Sequence, residues 1–131
     1  MINKPTTQAQ VLLIKASEDE TALQADGNPD SVLGFHAQQA VEKPFKALIS
    51  SRSVAFELTH SLLRLERSLR DLCESLPQTP VTLSDLNDFA VEYRYELLFQ
   101  HASPDVAELQ ETVRLIREHI VARIAALSAT P

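Results

Sequence analysis

Proline and glycine sit almost entirely between stretches in which apolar residues recur at helical spacing. Pro5, Gly27 with Pro29, Pro77 with Pro80, and Pro104 divide the 131 residues into pieces of helix length. No segment of five or more residues alternates convincingly with period two, so strands have no pattern to build on. Only two glycines, Gly27 and Gly34, are present. A sandwich or barrel needs many tight turns, and dinucleotide and phosphate loops need glycines at fixed spacing, so all of these are disfavoured. The expected fold is an all-α, up-and-down bundle of four to five helices.

The first piece, from about Thr6 to Ala25, places Ala9, Leu12, Leu13, Ala16 and Leu23 on one face with Glu18, Asp19 and Glu20 opposite. The second opens with Asn28 as N-cap and Pro29 in the first turn. It carries Leu33, Ala37, Val41, Phe45 and Ile49 at i+4 spacing and ends near Ser51. Pro44 lies inside it, which predicts a kink or break, because proline removes a backbone donor at a cost of about 3 kcal/mol. The third, from about His60 to Leu76, shows Leu62, Leu65, Leu69, Leu72 and Leu76, a stripe of alternating three- and four-residue steps. Thr82 with Asp85 resembles a capping box for the fourth, which carries Leu86, Phe89, Ala90, Tyr93 and Leu97. Ser103 and Pro104 open the fifth, which runs Val106, Leu109, Val113, Ile116, Ile120, Ile124 and Leu127.

One domain is expected over residues 1–131, with its core between about 6 and 127 and frayed ends. Hydrophobic residues make up 44% and charged residues 23%, which suits a packed globule. The longest aliphatic run, Val11 to Ile14, is too short for a membrane span. The lone cysteine, Cys73, excludes an internal disulfide and a cysteine-based zinc site, and a reducing cytoplasm is the expected compartment. A net charge of −6 argues against duplex DNA as a partner through the whole surface, though not against a local basic site.

Few constellations carry chemistry. His36, His60, His101 and His119 contain no i, i+4 pair, so neither metal nor cofactor is expected. His36 reads as a partly buried helix histidine with a satisfied hydrogen bond, His60 as an aid to capping, and His119 as a solvated surface residue. Cys73, on the leucine-rich helix, reads as a core or boundary residue. Arg64, Arg67 and Arg70 form a row that reads as a solvated face paired with Glu66, Asp71 and Glu74. Gln38, Gln39, Glu42, Lys43 and Lys46 form a polar face open to i, i+4 ion pairs.

That polar face belongs to the string Phe35-His36-Ala37-Gln38-Gln39-Ala40-Val41-Glu42-Lys43-Pro44-Phe45-Lys46-Ala47-Leu48. Leu58-Thr59-His60-Ser61-Leu62 and Ala90-Val91-Glu92-Tyr93-Arg94-Tyr95 follow it. Together they resemble the HEPN domain family, whose second helix looks like "hAqqAvEKalKAll", whose third begins "tHdL" and whose fourth ends "RYp". The resemblance runs from about residue 10 to residue 125. It departs from the family at Pro44, where a helix former is usual, and at Glu96, where proline is usual.

The resemblance implies a helical bundle that pairs into a homodimer, in a family whose members are commonly encoded beside a minimal nucleotidyltransferase. Some members are metal-independent ribonuclease toxins marked by an arginine, four to six residues and a histidine. Here Arg94 is followed, after six residues, by His101. Histidine can move protons near neutrality, and arginine can stabilise a developing phosphorane. Against this, Tyr95 follows Arg94 where active ribonucleases usually carry a polar residue such as asparagine. Two readings follow, with a purely structural helical dimer as a third. One is a nucleotide-binding partner of a nucleotidyltransferase in a toxin–antitoxin-type system, with Lys43, Lys46 and Arg94 on phosphate. The other is a ribonuclease in which Arg94 and His101 act across a homodimer.

Overall fold

Leu62, Leu65 and Leu69 turn inward from the third helix and are fully buried, as their spacing requires. The protein is described here by a computed structural model covering residues 7–95 and 105–129, with the backbone alone over 90–95. Within these residues five helices follow one another: α1 (Gln8–Gln24), α2 (Asp30–Ser51), α3 (Leu62–Asp71), α4 (Leu83–Tyr95) and α5 (Val106–Ala129). Among the described residues there is no strand. The architecture is the all-α bundle expected.

The central helix is α2, which packs on each of the other four. Phe45, Leu48 and Ile49 on α2 join Leu23, Leu65, Leu69, Leu86, Leu109, Val113, Ile116 and Ile120 in one apolar core. α2 continues through Pro44 rather than breaking there. Proline costs about 3 kcal/mol inside a helix, whereas each large side chain buried beyond it contributes roughly 1.5–3 kcal/mol. Phe45, Leu48 and Ile49 are fully buried, so packing outweighs the lost backbone bond.

Caps differ from the sequence reading in instructive ways. Thr7 forms a full capping box with Gln10 at the start of α1. Pro29, not Asn28, precedes the first residue of α2, and the Asn28 amide instead donates to the carbonyl of Ala22 near the end of α1. Thr82 Oγ1 accepts the Asp85 amide, as expected, and Asp105 Oδ1 accepts the Glu108 amide at the start of α5. Ser103 and Pro104 lie outside the described residues.

α3 stops at Asp71, short of Leu76. Cys73 takes a left-handed backbone at φ 61°, its N–H donates to the Arg70 carbonyl, and the Glu74 N–H donates to the Leu69 carbonyl. This is a Schellman termination. It leaves Cys73 exposed rather than at a core boundary. α2 ends the same way, with Ser53 at φ 61° and the Ser53 and Val54 amides on the Ser50 and Ile49 carbonyls.

That turn sends residues 52–61 back along α2. Phe56 meets Lys46, the His60 carbonyl accepts from Gln38, and at the far end of α3 the Leu72 carbonyl accepts from Arg52. α3 therefore runs in the same direction as α2, a departure from strict up-and-down alternation. Gly34 packs against Phe89, and the Leu62 N–H donates to Asn87 Oδ1, so α4 runs antiparallel to both α2 and α3.

Candidate functional site

Two buried carboxylates organise the polar side chains of α2. Asp19, expected on the outer face of α1, occupies the inward row Ala9, Leu12, Ala16, Asp19, Leu23, and its side chain is only 10% exposed. A charge in that position needs partners. His36 Nδ1 lies 2.9 Å from Asp19 Oδ1, and Lys43 Nζ binds Asp19 Oδ2. His36 and Lys43 are seven residues apart on α2, two turns along one face.

Glu42 is the second centre, with a side chain 3% exposed. It accepts from Gln38 Nε2 at 3.0 Å, Gln39 Nε2 at 3.3 Å and Lys46 Nζ at 3.0 Å. His60 Nδ1 is 3.1 Å from both of its oxygens. Gln38 spends its other amide hydrogen on the His60 carbonyl, and Gln39 donates to Gln38 Oε1. Lys46 Nζ also stands 5.4 Å from the centre of the Phe56 ring, within cation–π range. The network fastens the return segment and the start of α3 to α2. It leaves the outer edge of the His60 ring in solvent, since that side chain is 65% exposed.

Lys43 and Lys46 are thus each neutralised by a carboxylate of their own bundle. The backbone also separates them from Arg94. From the Gly34–Phe89 contact, Arg94 lies about 7.5 Å along α4 toward the N-terminal end of α2 at 1.5 Å per residue. Lys43 lies about 13.5 Å along α2 the other way, and Lys46 further still. Along the bundle the backbone of Arg94 thus stands about 21 Å from that of Lys43. The side chain of Arg94, and all of His101, lie outside the described residues, as do the side chains of Tyr93 and Tyr95.

The remaining candidates are structural. His119 Nε2 is hydrogen-bonded to the Ser75 carbonyl at 2.7 Å, so it ties α5 to the α3–α4 connection rather than standing free in solvent. Arg64 pairs with Glu57 and Arg70 with Glu66. Glu74, expected to serve that arginine row, is buried and held instead by Arg52 and Arg123. The Arg123 hydrogen bond, above all, holds its carboxyl below the usual glutamate range against the opposing effect of burial, with Arg52 adding to the shift. Among the described residues, no three His, Cys, Asp or Glu side chains gather as a metal site would need, and no helix is long and apolar enough to cross a membrane.

The signal for Asp19 was available in its three-residue step from Ala16 and four-residue step to Leu23. Glu42 was less visible, because Gln38 and Lys46 at i±4 look the same on an exposed face.

Comparison with known proteins fits this architecture. No curated protein and no solved structure gave a match. The family model for the HEPN domain matches residues 12–124, which takes in most of α1, all of α2 to α4 and most of α5. On that match, spanning nearly the whole bundle, the chain belongs to the HEPN domain family.

Proposed function

We propose that this chain is a nucleotide-binding HEPN module that pairs with itself and works beside a minimal nucleotidyltransferase, with Arg94 as its principal phosphate contact. The observation that carries this reading is the fate of the other two cations. Lys43 and Lys46 are held by Asp19 and Glu42, and of the three expected phosphate ligands the arginine, with its planar fork, is the one best suited to phosphate. Tyr95 after Arg94 supports binding over catalysis, since the family's ribonucleases usually carry a polar residue there.

Calorimetric titration of ADP into the wild-type protein, Arg94→Ala and His101→Ala tests the proposal. Wild type and His101→Ala bind alike, and Arg94→Ala loses affinity by about tenfold or more, the worth of a charge-assisted bidentate contact. A labelled RNA incubated with wild type in chelator stays intact. The spacing of Arg94 and His101 supports a ribonuclease instead, and cleavage by wild type that both variants abolish would replace the binding reading with that one.

A further inference from the structure

We infer that Asp26 and Gly27, in the turn between α1 and α2, form a site of spontaneous covalent modification. There the Asp26 side chain closes on the Gly27 backbone nitrogen and reopens as isoaspartate, which makes the turn a substrate for an enzyme that methylates isoaspartyl carboxyls.

Ring closure needs a free carboxyl, a free N–H on the next residue and no side chain between them. The turn supplies all three. On one side of it the Ala25 N–H donates to the Ala22 carbonyl, and on the other the Asn28 side-chain amide donates to the same carbonyl at 3.2 Å. Between these two fastenings, the Gly27 N–H and the Asp26 carboxylate have no hydrogen bond or ion pair among the described residues. Both residues are exposed. Nothing lies within 4 Å of the place that a Gly27 Cβ would take, and Gly27 has φ +89°. A glycine turns about φ and ψ more freely than any other residue, so its nitrogen can come round to Asp26 Cγ.

Other aspartates lack one of these conditions. Asp71 and Asp85 precede Leu72 and Leu86, whose N–H groups already donate to helix carbonyls. Asp105 precedes the β-branched Val106, and Asn28 precedes Pro29, which has no N–H.

The step balances with water alone. The Gly27 nitrogen forms a bond to Asp26 Cγ, its proton is lost, and the carboxyl in its acid form gives up a hydroxyl, so that one water leaves and a five-membered imide remains. Water then adds back. If it breaks the new N–Cγ bond, aspartate returns. If it breaks the original bond to the α-carbonyl carbon, the chain runs through the side chain, a free α-carboxylate is left, and the mass is unchanged. The backbone has then gained one methylene inside the loop that Asn28 closes onto Ala22. The pairing of Asp19 with His36 and Lys43 still holds α1 on α2, so the bundle survives the change.

The test ages the folded wild-type protein, Asp26→Glu and Asp26→Asn at neutral pH and physiological temperature. Isoaspartate is read by methyl transfer from S-adenosylmethionine with an isoaspartyl carboxyl methyltransferase, and is placed by the loss of cleavage before residue 26 with an endoproteinase that cuts at aspartate. Wild type is expected to gain methyl uptake with time and to lose that cleavage. Asp26→Glu keeps the charge in an exposed turn but would have to close a larger ring, and it loses the uptake. Asp26→Asn gains it faster than wild type, because an amide closes the same ring without first taking up a proton at oxygen. Wild type that keeps full cleavage at residue 26, or that changes only when unfolded in urea, overturns the inference. So does methyl uptake that persists in Asp26→Glu.

Discussion

A Cβ placed on Gly34 would lie 2.9 Å from Cγ of Phe89, closer than side-chain carbons approach in folded proteins. Gly34 is therefore the contact through which α2 admits α4, the helix whose last residues carry Arg94 and Tyr95. Alanine in a helix gains about 1 kcal/mol over glycine, but overpacking costs typically 1–3 kcal/mol. Gly34→Ala is expected to lower the denaturant midpoint by the equivalent of about 1 kcal/mol, and Gly34→Val by more. Phe89→Leu added to Gly34→Ala recovers part of the loss. A Gly34→Ala protein as stable as wild type would show that α4 does not depend on this close approach.

Glu74 links three parts of the bundle through Arg52 and Arg123. Its folded pKa is lowered from an ordinary value of 4.5, chiefly by Arg123. A carboxyl lowered on folding contributes stability that is present above the ordinary value and lost as pH falls through the folded one. Urea midpoints are expected to drop below about pH 4.5, with Glu74→Gln flattening part of that drop. At neutral pH the same substitution costs about 1–3 kcal/mol, since it leaves two half-exposed arginines without their carboxylate. An unchanged acid limb in Glu74→Gln would remove Glu74 as its source.

Ser53 and Cys73 hold left-handed backbone at φ 61° in both Schellman turns. A side chain there costs roughly 1–2 kcal/mol, partly offset by the extra freedom that glycine gains in the unfolded chain. Ser53→Gly and Cys73→Gly should each raise the thermal midpoint, by the equivalent of up to about 1 kcal/mol. Alanine at either site gives no such gain.

Pro44 interrupts the hydrogen bonding of α2 within its most buried stretch. Pro44→Ala restores a backbone donor to the Ala40 carbonyl while losing some buried ring surface. The net expectation is a gain of about 1 kcal/mol, the difference between roughly 3 kcal/mol for the proline and its lost packing. Denaturant titration reads the change, and a lower midpoint would mean that the ring's packing matters more than the missing bond.

The helices were legible because burying one face of a helix leaves a periodic trace. Leu62, Leu65 and Leu69, or Leu109, Val113, Ile116 and Ile120, announce their inward side with no knowledge of the partner. The family likeness was legible in the string around Glu42 and Lys46, and the family match agrees with it. What those two residues do was not. Ion-pair partners depend on which helix lies across the interface, so Lys43 on Asp19, His60 on Glu42 and Glu74 on two distant arginines leave no local mark. The direction of α3 was hidden for the same reason, since a stripe of leucines reads alike whichever way its helix runs. Periodicity determined that five helices bury their apolar faces together. The tertiary structure decided which charges are compensated inside the bundle, because compensation is a contact between residues far apart in the chain.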